Sequence, residues 1–290
     1  MRTEKEVLSA LINWATADKN IRALLLAGSR ANDRAIVDVL SDYDVEVVVN
    51  DIEAFKNNTW PSDFGDVMAT FSEDRTDGLT RLVLYKDGSR IDFQLFDIYQ
   101  FNKKLRLAAV NNDWDIGVRA LLDKDALAAT MQAPTHARYN LNKPSRQEYE
   151  SLIEDFWWDS TYVAKSLWRD ELYHAKYMLD SVIRFGYLKT VIEWYIGMNN
   201  GWNVNTNKQG RWFKKYVDAD LWRRIEATFA GPGVEENWSA LFAMTSLFGT
   251  LALEIGKQLK FDYPGDLEQN VMNYLRTIKN REHESTSGRT

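Results

Sequence analysis

The stretch SDYDVEVVV, Ser41 to Val49, decides the fold. Tyr43 to Val49 is rich in β-branched residues, and Asp44, Glu46 and Val48 alternate with Val45, Val47 and Val49, which is the pattern of a strand. Side chains two apart on a strand project from one face, so Asp42 and Asp44 present two carboxylates to one point. Upstream, Ile21 to Ala27 (IRALLLA) is a short apolar run stopped by Gly28-Ser29, which reads as a buried strand. Thr3 to Lys19 places Val7, Leu8, Leu11, Ile12, Trp14 and Ala15 at helical spacing, and Arg30 to Leu40 reads as a short helix and loop. Downstream, Leu79 to Tyr85 and Arg90 to Phe96 alternate on either side of Lys86-Asp87-Gly88-Ser89, whose Asp-Gly core signals a hairpin turn. The second of these strands carries Asp92 among apolar neighbours.

Past Pro144 the period changes. Tyr149, Leu152, Ile153, Phe156, Trp157, Tyr162, Val163 and Leu167 recur at helical steps, and the segments 172–198, 221–229, 238–259 and 267–278 repeat the behaviour. The expected architecture is therefore α+β: a mixed sheet flanked by helices over residues 1–143, an all-helical domain over 144–281, and a polar, disordered tail over 282–290.

Asp42 and Asp44, joined by Asp92 if its strand lies beside theirs, form a hard oxygen site suited to magnesium and to substrate phosphates. Such a site can grip a triphosphate and stabilise both oxygens of an in-line displacement at phosphorus. Gly28 lets the backbone approach a phosphate closely, and the Ser29 hydroxyl can donate to it. Each element is ordinary alone. The ordered combination is not: strand, Gly-Ser, twelve intervening residues, Asp-x-Asp opening a second strand, then a hairpin strand with one acid.

In this combination the chain resembles the nucleotidyltransferase superfamily of polymerase β-like fold. It is similar more closely to the aminoglycoside 6-adenylyltransferases, which modify streptomycin. LAGSRAND (26–33), SDYDVEVVV (41–49) and RIDFQLF (90–96) are generic to the superfamily, whereas LLDKD (121–125), EDFWWDSTYVAKSLWRDEL (154–172) and NKQGRWFKKY (207–216) are specific. The resemblance implies that Asp42 and Asp44 hold Mg2+ (or Mn2+), with Asp92 as third metal carboxylate and general base. It implies that Gly28, Ser29, Arg30, Lys165 and Lys208 contact the triphosphate of ATP. The reaction implied is transfer of AMP to a hydroxyl of a cationic acceptor. A lincosamide or a protein as acceptor, and a non-catalytic nucleotide-binding or antitoxin-like protein, are the alternatives. Three convergent charges speak against the last, because they repel unless metals neutralise them. Two positions depart from the family's pattern: Ala27 stands where an acidic residue precedes the Gly-Ser, and Tyr195 where a histidine is usual.

Composition narrows the field. The chain has 290 residues, 45% hydrophobic and 27% charged, the balance of a globular protein long enough for two cores. The absence of cysteine excludes a disulfide scaffold, a thiolate metal site and a thiol nucleophile. The net charge of -6 argues against bulk nucleic-acid binding and favours a cationic small partner. The N-terminal stretch lacks the apolar core of a signal peptide, and the longest apolar run, Trp238 to Ile255, reads as a buried helix and not a membrane span. A cytoplasmic protein is the expectation. Trp157-Trp158 and the three histidines, His136, His174 and His283, read as structural.

Overall fold

The computed structural model describes residues 1–108 and 113–281. The expected tail, with His283, lies outside them. The chain divides into two compact units, Met1–Arg138 and Tyr139–Thr290, a few residues before the Lys143-Pro144 junction marked by the change of period.

The first unit is built on a six-stranded mixed sheet: β1 (Ile21–Ala27), β2 (Tyr43–Val49), β3 (Val67–Arg75), β4 (Gly78–Tyr85), β5 (Arg90–Asp97) and β6 (Val118–Asp123), in the order β3-β4-β5-β2-β1-β6. Among the described strands only β2 and β5 pair in parallel, with Asp44 beside Asp92. Between β4 and β5 the Asp87-Gly88 turn forms as expected. Gly88 takes φ +85°, and the Asp87 carboxylate accepts from the Ser89 amide at 2.9 Å.

One face of the sheet packs on α1 (Glu4–Ala17), whose Thr3-Glu6 capping box fixes its start and whose Val7, Leu11 and Ala15 are buried with Leu24, Leu26, Val45 and Val47. Trp14, Phe55, Trp60, Phe64 and Phe93 close this core edge to face, with Trp14 stacked on Trp60 at 5.5 Å. The other face is covered in turn by α2 (Ile98–Ala108) and by Trp114 and Val118. This second cover buries Glu46, two residues beyond Asp44 on β2, to 6% exposed. Ahead of β2, the segment read as a short helix and loop is a single 3-10 turn, Gly28–Ala31, followed by irregular chain.

The second unit is helical throughout, with no strand among its described residues. It comprises α3 (Arg146–Trp168), α4 (Leu172–Lys176) running on through a π-helical stretch (Tyr177–Leu188) into α5 (Lys189–Asn199), and α6 (Phe213–Tyr216), α7 (Ala219–Glu226), α8 (Val234–Leu259) and α9 (Gly265–Lys279). Ser145 and Glu148 form the capping box that starts α3 directly after Pro144. Phe156 on α3 stacks on Phe248 on α8 at 3.6 Å, and Trp157 is fully buried while Trp158 is exposed. Helix α8 is long and apolar enough to cross a membrane by length and composition, yet most of it is buried within this core.

Candidate active site

The site gathers at the end of the sheet where β1 stops and β2 and β5 begin. Ala27, the last residue of β1, pairs with Asp44, and Asp44 pairs on its other side with Asp92. Asp44 therefore sits in a three-strand row. Gly28 follows in the left-handed region at φ +69°, and its amide donates to the Gly117 carbonyl at 3.0 Å. A Cβ built on Gly28 would lie 2.2 Å from Asp44 Oδ2, so only glycine leaves room for that carboxylate. Ser29 follows Gly28 in the 3-10 turn that leaves β1.

Arg30, read from the sequence as a phosphate contact, has its side chain engaged by the chain leading into β2. Its Nη2 donates to the Ser41 carbonyl at 2.8 Å and its Nε to the Asp42 carbonyl at 3.2 Å. Its guanidinium also lies 4.0 Å from the Tyr43 ring centroid and pairs with Glu4 at 3.0 Å. With 7% of its side chain exposed, Arg30 pins the chain that delivers Asp42 to the start of β2.

Arg90 was not singled out by the sequence reading. It forks onto Asp92, Nε to Oδ1 and Nη2 to Oδ2 at 2.8 Å each, and Nη1 reaches Asp42 Oδ2 at 3.5 Å. The hydrogen bonds to Asp92, outweighing a small burial cost, raise the guanidinium above its ordinary pKa. The signal was present in Arg90-Ile-Asp92, because residues two apart on a strand share a face. Among the described residues, no three acidic or histidine side chains converge closely enough to hold a metal ion as they stand. The expected three-carboxylate cluster is thus two carboxylates bridged by a guanidinium, with Asp44 alongside.

Glu46 is the second residue that sequence reasoning missed. It lies two positions beyond Asp44, and its Oε1 accepts from Lys104 Nζ at 2.6 Å and Trp114 Nε1 at 2.9 Å. Its Oε2 has no hydrogen-bond partner among the described residues. This partly buried ion pair and the Trp114 bond tie α2 and the 113–116 turn to the strand that carries Asp44.

The remaining candidates, His136 apart, lie in the helical unit. Lys165 is on α3 with its Nζ 4.2 Å from the Tyr162 ring centroid. Lys208 is exposed in a tight turn between Asn207 at φ 61° and Gln209 at φ 53°. Asp159 accepts from the Tyr187 hydroxyl at 2.8 Å, whereas Glu154 and Asp155 are exposed. His174 meets Ser166 Oγ at 2.7 Å and His136 meets the Ile116 carbonyl at 3.0 Å, both structural contacts.

A glycine-cradled carboxylate in a row with a second on the neighbouring parallel strand, at the end of a mixed sheet, is the arrangement of a nucleotidyltransferase. The comparisons narrow this class. The family model described as streptomycin adenylyltransferase matches residues 1–278. An aminoglycoside 6-adenylyltransferase from Staphylococcus aureus is 30% identical over 285 residues, 95% of this chain and 98% of that protein. One from Bacillus subtilis (strain 168) is 29% identical over 287 residues, 96% and 98% respectively. A crystal structure of an aminoglycoside 6-adenyltransferase from Bacillus subtilis matches with a TM-score of 0.49 at 24% identity, covering 97% of this chain and all of that one. The chain belongs to the streptomycin adenylyltransferase family.

Proposed function

We propose that this protein transfers AMP from ATP to a hydroxyl of an aminoglycoside of the streptomycin type, releasing pyrophosphate. The observation that carries the reading is Asp44 seated against Gly28 and paired with Asp92 on the next strand, in a chain of this family over nearly its whole length. The donor set fits a divalent cation: the oxygens are hard, and Gly28 opens the space for one of them. Asp42 and Asp44 would hold Mg2+ or Mn2+, which when bound screens the triphosphate charge and polarises the phosphorus under attack.

The residues of the chain do the rest. Asp92 takes the proton of the acceptor hydroxyl as its oxygen bonds to the α-phosphorus, while the bond to the pyrophosphate breaks. The backbone at Gly28 and the Ser29 hydroxyl donate to phosphate oxygens. Arg30 acts indirectly, by fixing Asp42. The family resemblance adds Lys165 and Lys208 as cations for the triphosphate and the departing pyrophosphate. Acidic balance suits a polycationic acceptor, and a cytoplasmic protein is in keeping with ATP as co-substrate.

The test is pyrophosphate release with ATP and magnesium across a panel of aminoglycosides and lincosamides. Release with streptomycin and none in excess EDTA is expected. Release with lincosamides alone, or undiminished by EDTA, overturns the reading. Within that assay Asp92→Asn should lower kcat by about 10²- to 10⁴-fold, the range for loss of a general base, with little change in KM for ATP. Lys208→Ala should chiefly raise that KM.

A further inference from the structure

We propose that Arg90 is a resident cation of the carboxylate site, which neutralises Asp92 and Asp42 in the metal-free enzyme and gives up that position when a divalent cation binds. The proposal rests on the reading that Asp42 and Asp44 hold such a cation. Three observations carry it.

Geometry comes first. Arg90 makes both of its short contacts to Asp92 and spans to Asp42, which lies on the neighbouring parallel strand's approach. It therefore bridges Asp92, read as the base, and Asp42, one of the two carboxylates read as metal ligands. Electrostatics comes second. Asp42, just ahead of β2, and Asp44 and Asp92 on adjacent strands repel one another, and a guanidinium fork is the group best suited to offset two of them at once. Mobility comes third. The Arg90 side chain is 42% exposed, so its release into solvent or onto an incoming phosphate breaks no core packing. Arg30 shows the contrast: nearly buried, stacked on Tyr43 and bonded to backbone carbonyls, it is built to stay.

Two consequences follow. The nucleotide-free protein binds divalent metal weakly, because the ion must displace a pre-existing charge. The displaced guanidinium then becomes available to the negative charge that accompanies the ion, so that metal and triphosphate bind better together than apart. Arg90 is in this sense a positioning residue, coupling the arrival of two ligands.

The experiment measures Mn2+ binding to nucleotide-free protein by electron paramagnetic resonance of the free ion, for the wild type, Arg90→Gln, Arg90→Lys and Asp44→Asn. Loss of one positive charge from the site should tighten Mn2+ binding by about tenfold or more in Arg90→Gln, and Asp44→Asn should weaken it. Melting of Arg90→Gln followed by circular dichroism should show a lower Tm than the wild type in EDTA, recovered on adding Mn2+. A structural role alone would lower the Tm without raising the affinity. If Arg90→Gln does not fold, Arg90→Lys, which keeps the charge but loses the fork, should show a smaller rise of the same sign. Equal or weaker Mn2+ binding by the Arg90 variants than by a wild type that does bind overturns the proposal and leaves the metal reading standing. Absence of Mn2+ binding in wild type and Arg90 variants alike overturns both.

Discussion

At the scale of single residues the site depends on one missing methyl group. Gly28 combines a left-handed backbone with a carboxylate where its side chain would be, so two independent penalties fall on any replacement. Alanine at φ +69° costs about 1 kcal/mol for the conformation alone. The clash with Asp44 Oδ2 must then be relieved by moving the carboxylate out of its row. Gly28→Ala should therefore lose activity far more than stability: a kcat reduced by at least about 100-fold, with a Tm drop of a few degrees, read by steady-state kinetics and thermal melts. A variant with near-normal kcat would remove Asp44 from the chemistry. The sequence announced Gly28, Asp42, Asp44 and Asp92 because glycine stops and acids in apolar strands stand out locally. Arg90 did not stand out, since a basic residue at the start of a strand has an innocuous reading as a solvated end.

At the scale of elements, the link between β1 and β2 matters most. It runs through irregular chain, and Arg30 is what gives it a fixed end. Arg30→Ala removes the donors to the Ser41 and Asp42 carbonyls and the contact with Tyr43. The expected outcome is a lowered kcat with β2 itself retained, visible as an unchanged circular dichroism spectrum at 25 °C. Unchanged kcat would show that Asp42 is positioned by the strand alone. The strands β1, β2 and β5 were legible from sequence because they are central and apolar, as was the β4–β5 turn. β3 was not: nearly all of VMATFSEDR is exposed at the sheet edge, so burial imposes no clear alternation on it. β6 is likewise an edge strand, and its Leu121 and Leu122 are only half-buried. Glu46 was not singled out because a two-residue period reveals which residues share a face but not whether that face is covered. The π-helical stretch Tyr177–Leu188 has the same apolar spacing as the helices around it and left no separate trace.

At the scale of the whole molecule, stability should fall on the acid side. Asp115 is buried, which would raise its carboxyl, but amide donors from Arg138, Thr135 and His136 and the Thr135 hydroxyl overcome this and hold it below the usual range. Asp87 is exposed, and the partial desolvation that would raise its carboxyl is overcome by bonds from Ser89 and Arg2, which pull it down. A depressed folded pKa stabilises the protein fully above the unfolded value near pH 4, and that stability is lost as pH falls through the folded value. Denaturation midpoints measured from pH 7 to pH 2 should hold until about pH 4 and then decline. Asp115→Asn should be less stable at pH 7 and show a shallower acid decline, while parallel profiles for mutant and wild type would discount Asp115. This bond network was not legible in sequence, because it joins residues twenty or more positions apart.

The parallel pairing of β2 with β5 also governs how the chain reaches its native state. β2 is synthesised long before β5, and until Asp97 has been made its valines lack the neighbour that occupies one of their two hydrogen-bonding edges. During that interval Tyr43 to Val49 is a bare, β-branched edge, ending in three residues, Val47 to Val49, that carry no charge, of the kind that recruits other nascent chains. Slow translation or truncation before residue 90 should thus drive aggregation, and the yield of soluble protein depends on closing a distant contact quickly.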